Sequence, residues 1–238
     1  MLKARLSLSD PIRHNRAMTD QQLQPIDLLP AKHFFHEAAH ALALYSLGTT
    51  PVSMSVTMAD DPRMTHGSVM PPKTENLFLW EHAFFKMSGP AAHIYLGNSN
   101  FETDRNMFLS DFTSILRNFP SLATNRDQAA QTLMVCRRFL EEDCRNWVEQ
   151  QHSSIAGLAV ALNSSQAGEN CYELKGQALQ DALASSGDIS TIQATEHRTQ
   201  IEKSFLALRG SMPPFDPLTA PDWVKFYWAN AKSSIPTP

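Results

Sequence analysis
The chain has 238 residues, 42% of them hydrophobic and 18% charged, the proportions of a globular protein with room for one substantial core. A formal net charge of −4 gives no electrostatic case for nucleic acid or an anionic membrane surface, and no apolar run reaches the ~18–20 residues that span a bilayer. Cys136, Cys144 and Cys171 are an odd number without C-x-x-C spacing, so a disulfide framework or a cysteine metal site is not expected, and a reducing, cytoplasmic setting fits.

Residues 1–30 mix Lys3, Arg5, Arg13 and Arg16 with Asp10, Asp20 and Asp27 and hold no apolar signal core, so they read as a flexible arm. The first helix is expected from about Ala31 to Leu47. Pro30 suits its first turn, Gly48 its stop, and Phe34, Phe35, Ala38, Ala39, Leu42 and Ala43 form an apolar stripe at helical spacing.

That helix carries His36-Glu37-Ala38-Ala39-His40, an H-E-x-x-H pattern. Residues four apart project from nearly one helix face, so His36 and His40 can both reach one zinc ion. Glu37, next to the first ligand, is placed to act as general base towards water at that ion. The bland alternative is an amphipathic helix whose histidines are only packed.

Pro51 to Met58 alternates polar and apolar residues, as a half-buried strand does. Asp60-Asp61-Pro62 is a turn, and Thr65 to Met70 a second short strand ending at Pro71-Pro72. A sheet edge beside a zinc helix is a place where an extended peptide can bind as an added strand. His66, His82 and His93 are each expected to be ordinary solvated or core-edge histidines. Leu77 to Leu96 reads as one helix or two, with a break or fresh start at Gly89-Pro90.

Residues 97–104 read as a loop. Ser110-Asp111 then precedes the apolar helical face Phe112, Ile115, Leu116 and Phe119. Asp111 there is a helix N-cap or a metal ligand. From Arg126 the pattern stays helical, with Leu133, Cys136 and Phe139 on one face and Trp147, Ile155, Leu158 and Leu162 on another. Asn163 to Asn170 is a polar break, followed by helices near Leu174 to Ala184 and Gln193 to Leu208. Pro213, Pro214, Pro217 and Pro221 lead to the aromatic segment Trp223 to Trp228, expected to dock back onto the body. Three parts result: an arm over 1–30, a helical domain over 31–210, and a Pro-rich, aromatic tail over 211–238.

Together these stretches resemble the peptidase domain of the FtsH-type ATP-dependent zinc metalloproteases. His36-Glu37-Ala38-Ala39-His40-Ala41 is similar to that family's HEAGHA, with Ala39 in place of its glycine. Pro51-Val52 through Thr57, then Gly67 and Pro71, follow its strand, glycine and proline order. Ser88-Gly89-Pro90-Ala91-Ala92 resembles its GGRAAE segment, with His93 where the family has an acidic residue. Ser110-Asp111 sits where the family has Asn-Asp. Ile155 to Asn163 with Leu174-Lys175-Gly176 echoes its closing helices.

The resemblance, over roughly residues 31–184, implies a mainly α, zincin-like metallopeptidase fold with a small β element after the H-E-x-x-H helix. It implies Zn2+ as cofactor, held by His36, His40 and Asp111, with Glu37 as the catalytic base. Asp104 and Glu102 remain rivals for the third ligand. The implied activity is endopeptidase cleavage of unstructured protein or peptide segments. The family's G-x-x-x-x-G-K-[ST] loop does not occur in these residues, so a separate ATPase partner or a ring of copies stays open. The competing readings are a zinc-binding but catalytically idle interaction protein, and a helical protein with a chance H-E-x-x-H and no metal.

Overall fold
A computed structural model of the chain describes residues 28–60, 65–72, 77–97, 105–119, 125–187 and 189–230. Most of the arm over 1–30, Asp61-Pro62 of the turn, the rival ligands Glu102 and Asp104, and the tail beyond 230 lie outside the described residues. The described chain is mainly helical with one small antiparallel sheet. In order it runs α1 (Leu28–Ser46), β1 (Ser53–Thr57), β2 (His66–Met70), α2 (Leu79–Gly97), α3 (Arg105–Asn118) and α4 (Arg126–Phe139). A π turn (Leu140–Cys144) leads into α5 (Arg145–Asn163), and β3 (Gln166–Gly168), β4 (Cys171–Lys175), α6 (Gly176–Ser186), α7 (Thr191–Ser211) and α8 (Asp222–Asn230) follow. No helix among the described residues is long and apolar enough to cross a membrane.

Helix α1 is the centre of the molecule. Phe34, Phe35, Ala38, Ala39, Ala41, Leu42, Ala43 and Leu44 are all buried, so burial extends round more of the helix than an amphipathic stripe would. Its small residues let neighbours come close, and α2 and α5 pack along it with the sheet. Pro30 lies in its first turn as expected. Gly48 ends it with φ +78, and the Thr49 amide donates back to the Leu44 carbonyl oxygen at 3.0 Å. A glycine is suited to that left-handed position because it has no Cβ to clash.

Helix α2 departs from expectation. Gly89-Pro90 makes neither a break nor a fresh start, and the helix runs through both. Proline removes one backbone donor and strains the turn before it. Around it, however, Phe84, Phe85, Met87, Ala91 and Ala92 are each at most 1% exposed. Each large apolar side chain so buried contributes about 1.5–3 kcal/mol, which outweighs one lost hydrogen bond. Local helix-breaking signals lose to tertiary burial here.

The sheet has the order β2-β1-β4-β3, antiparallel throughout. In β1, Met54 and Val56 point into the core while Ser53, Ser55 and Thr57 are half-buried, the period-two pattern read from the sequence. β3 and β4 correct the sequence reading. Asn163 to Asn170 is not simply a polar break, and Leu174 lies on β4 rather than at a helix start, with α6 beginning at Gly176. In the chain register, Leu174 of β4 stands opposite Met54 of β1.

The long helical stretch from Arg126 is interrupted by the π turn, where the Arg145 amide donates to the Leu140 carbonyl oxygen five residues back. One extra residue shifts the helical phase. That shift fits the change of buried face from Leu133, Cys136 and Phe139 to Trp147, Ile155, Leu158 and Leu162. All three cysteines are free. Helix α8 docks on the body, as expected of the aromatic tail: Trp223 meets Phe108 edge-on at 6.3 Å, and Tyr227 meets Phe112 at 5.6 Å. The Trp228 indole N–H donates to the Asp127 carboxylate at 2.8 Å.

Candidate metal centre
Three ligand-type atoms meet where α1, α2 and α3 converge. His36 Nε2 and His40 Nε2 lie 3.0 Å apart. Asp111 Oδ2 lies 3.3 Å from the first and 3.6 Å from the second. Bonds of about 2.0–2.1 Å to a tetrahedral ion require ligand atoms about 3.3 Å apart, so the three atoms are already spaced for one. All three residues are buried, and they form a group able to hold a metal ion.

The donor chemistry fits as well. His40 Nδ1 lies 2.6 Å from the Phe85 carbonyl oxygen, which can only accept. The ring proton is therefore on Nδ1, and the lone pair of Nε2 faces the site. Burial alone would raise the Asp111 carboxyl. The neighbouring His40 and His36 rings and the Lys86 ammonium outweigh it and hold the group well below the usual carboxylate range. An anionic oxygen and a bare imidazole nitrogen, in a space shared with a second imidazole nitrogen, are what a divalent cation satisfies.

Asp111 is not the helix cap that its spacing allowed. Helix α3 begins at Arg105, so Asp111 lies inside it. It shares the inner face with Phe108, Phe112, Ile115 and Leu116, all buried. A charge on such a face is costly unless it is paired, and here the two imidazoles and Lys86 pair it.

Glu37 is buried beside the three. Burial pushes its carboxyl up to about 7, against the opposing pull of His36 and Lys86. A Cβ on Gly67 of β2 would fall 2.4 Å from Glu37 Cγ and Oε1, so the edge strand lies directly against the carboxylate and only glycine fits. Gly89 does the same from α2: a Cβ there would fall 2.3 Å from His40 Nε2 and 2.7 Å from His36 Nε2.

Of the other histidines, His66 is exposed on β2. His93 is buried with its ring edge-on to those of His33 and His36, each 6.1 Å away. His82 is buried with Asn118 Nδ2 at 3.3 Å from its Nε2, the partnered core histidine that was expected. Burial, then the nearby Lys86 charge, pushes its pKa down to about 4. Between pH 4 and 6.5 the unfolded chain thus binds more protons at His82 than the folded one. Its neutral form supports the fold fully above about pH 6.5, and up to about 3 kcal/mol is lost as pH falls towards 4. Urea unfolding of metal-free protein should show wild type losing more stability than His82→Gln over that interval.

Sequence reasoning missed Gly89, Lys86 and the Phe85 carbonyl. Lys86 carries a signal in retrospect, since it is the one Lys or Arg in the apolar stretch from Leu77 to Leu96. Gly89 had a local meaning as a helix breaker that concealed its spatial one. Comparison with protein-family models, curated proteins and solved structures finds no match for the chain.

Proposed function
We propose that the chain is a zinc-dependent endopeptidase with a zincin-like site, cleaving unstructured protein segments. The observation that carries this reading is the convergence of His36 Nε2, His40 Nε2 and Asp111 Oδ2 within 3.0–3.6 Å, beside the buried Glu37. Two imidazoles and a carboxylate also suit ferrous iron, but a carboxylic base next to the ligands has its use in hydrolysis.

His36, His40 and Asp111 would hold the zinc, which supplies Lewis acidity to the scissile carbonyl and to water. Glu37 takes a proton from the attacking water and delivers it to the leaving amine. Burial raises this carboxyl in the metal-free chain, which strengthens it as a proton acceptor beside the ligands. β2 is one of the two edge strands of the sheet and presses on Glu37 at Gly67. An extended substrate added at its outer edge would run past the base, held by main-chain hydrogen bonds that do not depend on side-chain identity. Such binding fits a preference for unfolded segments over a fixed recognition sequence.

The test is elemental analysis of purified wild type beside His36→Ala and Asp111→Ala. About one zinc per chain is expected in wild type, none in His36→Ala, and weakened retention in Asp111→Ala. Iron in place of zinc, or no metal and no tight uptake, would overturn the reading.

A further inference from the structure
The two oxygens of Asp111 are divided between different partners. Oδ2 faces both imidazoles, whereas Oδ1 lies 3.3 Å from the Lys86 ammonium. Lys86 reaches this position from α2, next to the residue whose carbonyl orients His40. Its Nζ also lies 4.6 Å from the centroid of the Phe85 ring, so a cation–π contact and an ion pair hold the same ammonium. Little of either charged side chain reaches solvent, with 18% of Lys86 and 11% of Asp111 exposed. A charge pair so shielded from water is screened far less than a surface pair.

We propose that Lys86 is a positioning residue that restricts Asp111 to one-oxygen coordination and thereby sets the metal preference of the site. A carboxylate with both oxygens free readily binds a cation through both, adding a ligand and favouring larger ions. With Oδ1 held by Lys86, only Oδ2 remains for the metal. Two imidazole nitrogens and one oxygen then leave one further position in a four-coordinate site, the number that suits zinc and a reacting molecule. Lys86 also adds a positive charge near the cation, which lowers affinity for every divalent ion alike. That common loss cancels in a ratio of affinities, so the role of Lys86 is read in selectivity and coordination number. This inference rests on the metal reading of the site but not on peptide hydrolysis.

The experiment loads wild type, Lys86→Met and Lys86→Arg with Co2+, records the visible spectrum, and measures Zn2+ and Mn2+ affinities by chelator competition. Wild type should show the intense bands of four-coordinate cobalt. Lys86→Met should show the weaker bands of a higher coordination number, and its preference for Zn2+ over Mn2+ should fall about tenfold or more. Lys86→Arg keeps a donor on Oδ1 and should resemble wild type. Lys86→Gln replaces Lys86→Met if the latter does not fold, with the same expectations. An unchanged spectrum and unchanged Zn2+/Mn2+ ratio in the folded neutral variant would overturn the role of Lys86 while leaving the metal site intact. Weak, higher-coordinate bands in wild type would overturn it also. Absence of metal binding in wild type would instead remove the metal reading itself, and this inference with it.

Discussion

Replacing Gly89 with alanine should weaken metal binding by well over tenfold while leaving most of the fold in place. In an ordinary helix this substitution stabilises by about 1 kcal/mol. Here the added methyl would fall 2.3–2.7 Å from the imidazole nitrogens that point into the site. Carbon cannot approach a ring nitrogen that closely, so either α2 withdraws from α1 or the two rings rotate away. Withdrawal is resisted by the packing of Phe84, Phe85, Met87 and Ala92 around it, and overpacking of this kind costs about 1–3 kcal/mol. Ring rotation breaks the hydrogen bond from His40 Nδ1 to the Phe85 carbonyl oxygen and separates the two Nε2 atoms. Zinc affinity is expected to fall by well over tenfold, with far-ultraviolet circular dichroism close to wild type. Full zinc content in Gly89→Ala would mean that the helices stand further apart than described.

Glu37→Gln should separate binding from turnover. The amide has nearly the shape of the carboxylate, and Glu37 is not one of the three ligand residues, so about one zinc per chain should remain. Loss of the proton shuttle should lower cleavage of an unfolded protein by about 10²–10⁴-fold. The sign of the stability change follows from burial. Because the Glu37 carboxyl is raised from 4.5 to about 7, its ionised form is penalised in the fold, and the penalty grows as pH rises from 4.5 to 7. Metal-free Glu37→Gln should therefore melt at a higher temperature than metal-free wild type at pH 8. If wild type binds zinc but cleaves no faster than Glu37→Gln, the chain is a zinc-holding interaction protein.

Much of this site could be read from the order of residues. H-E-x-x-H inside an apolar helical stripe is a statement about one helix, and helical geometry alone places its two imidazoles together. The alternation in β1 and the stop at Gly48 are equally local. From local pattern alone Asp111 was an ambiguity, because its position in α3 depends on where that helix begins, and only the family resemblance named it as the third ligand. Its place among Phe108, Phe112 and Ile115 was the better clue, since a carboxylate on an apolar face has to find a cation. The β3–β4 hairpin was missed because β3 is exposed throughout and β4 buries only Leu174, leaving no alternation to detect. Gly89 and Lys86 take their meaning from α1 and α3, which no pattern within α2 reveals.

Helix α8 ties the candidate site to the far end of the described chain. Its Trp223 and Tyr227 cover Phe108 and Phe112, which flank Asp111 on the inner face of α3. The clasp between Trp228 and Asp127 joins positions 101 residues apart in the chain. Contacts at such separation form late, because the intervening chain must close a long loop first. During synthesis His36 and His40 emerge before Asp111, and Asp111 emerges well before the residues that seat its helix. A chain cut before Asp222 is therefore expected to keep both imidazoles in place but to hold Asp111 less firmly, which metal titration of the shortened chain would check.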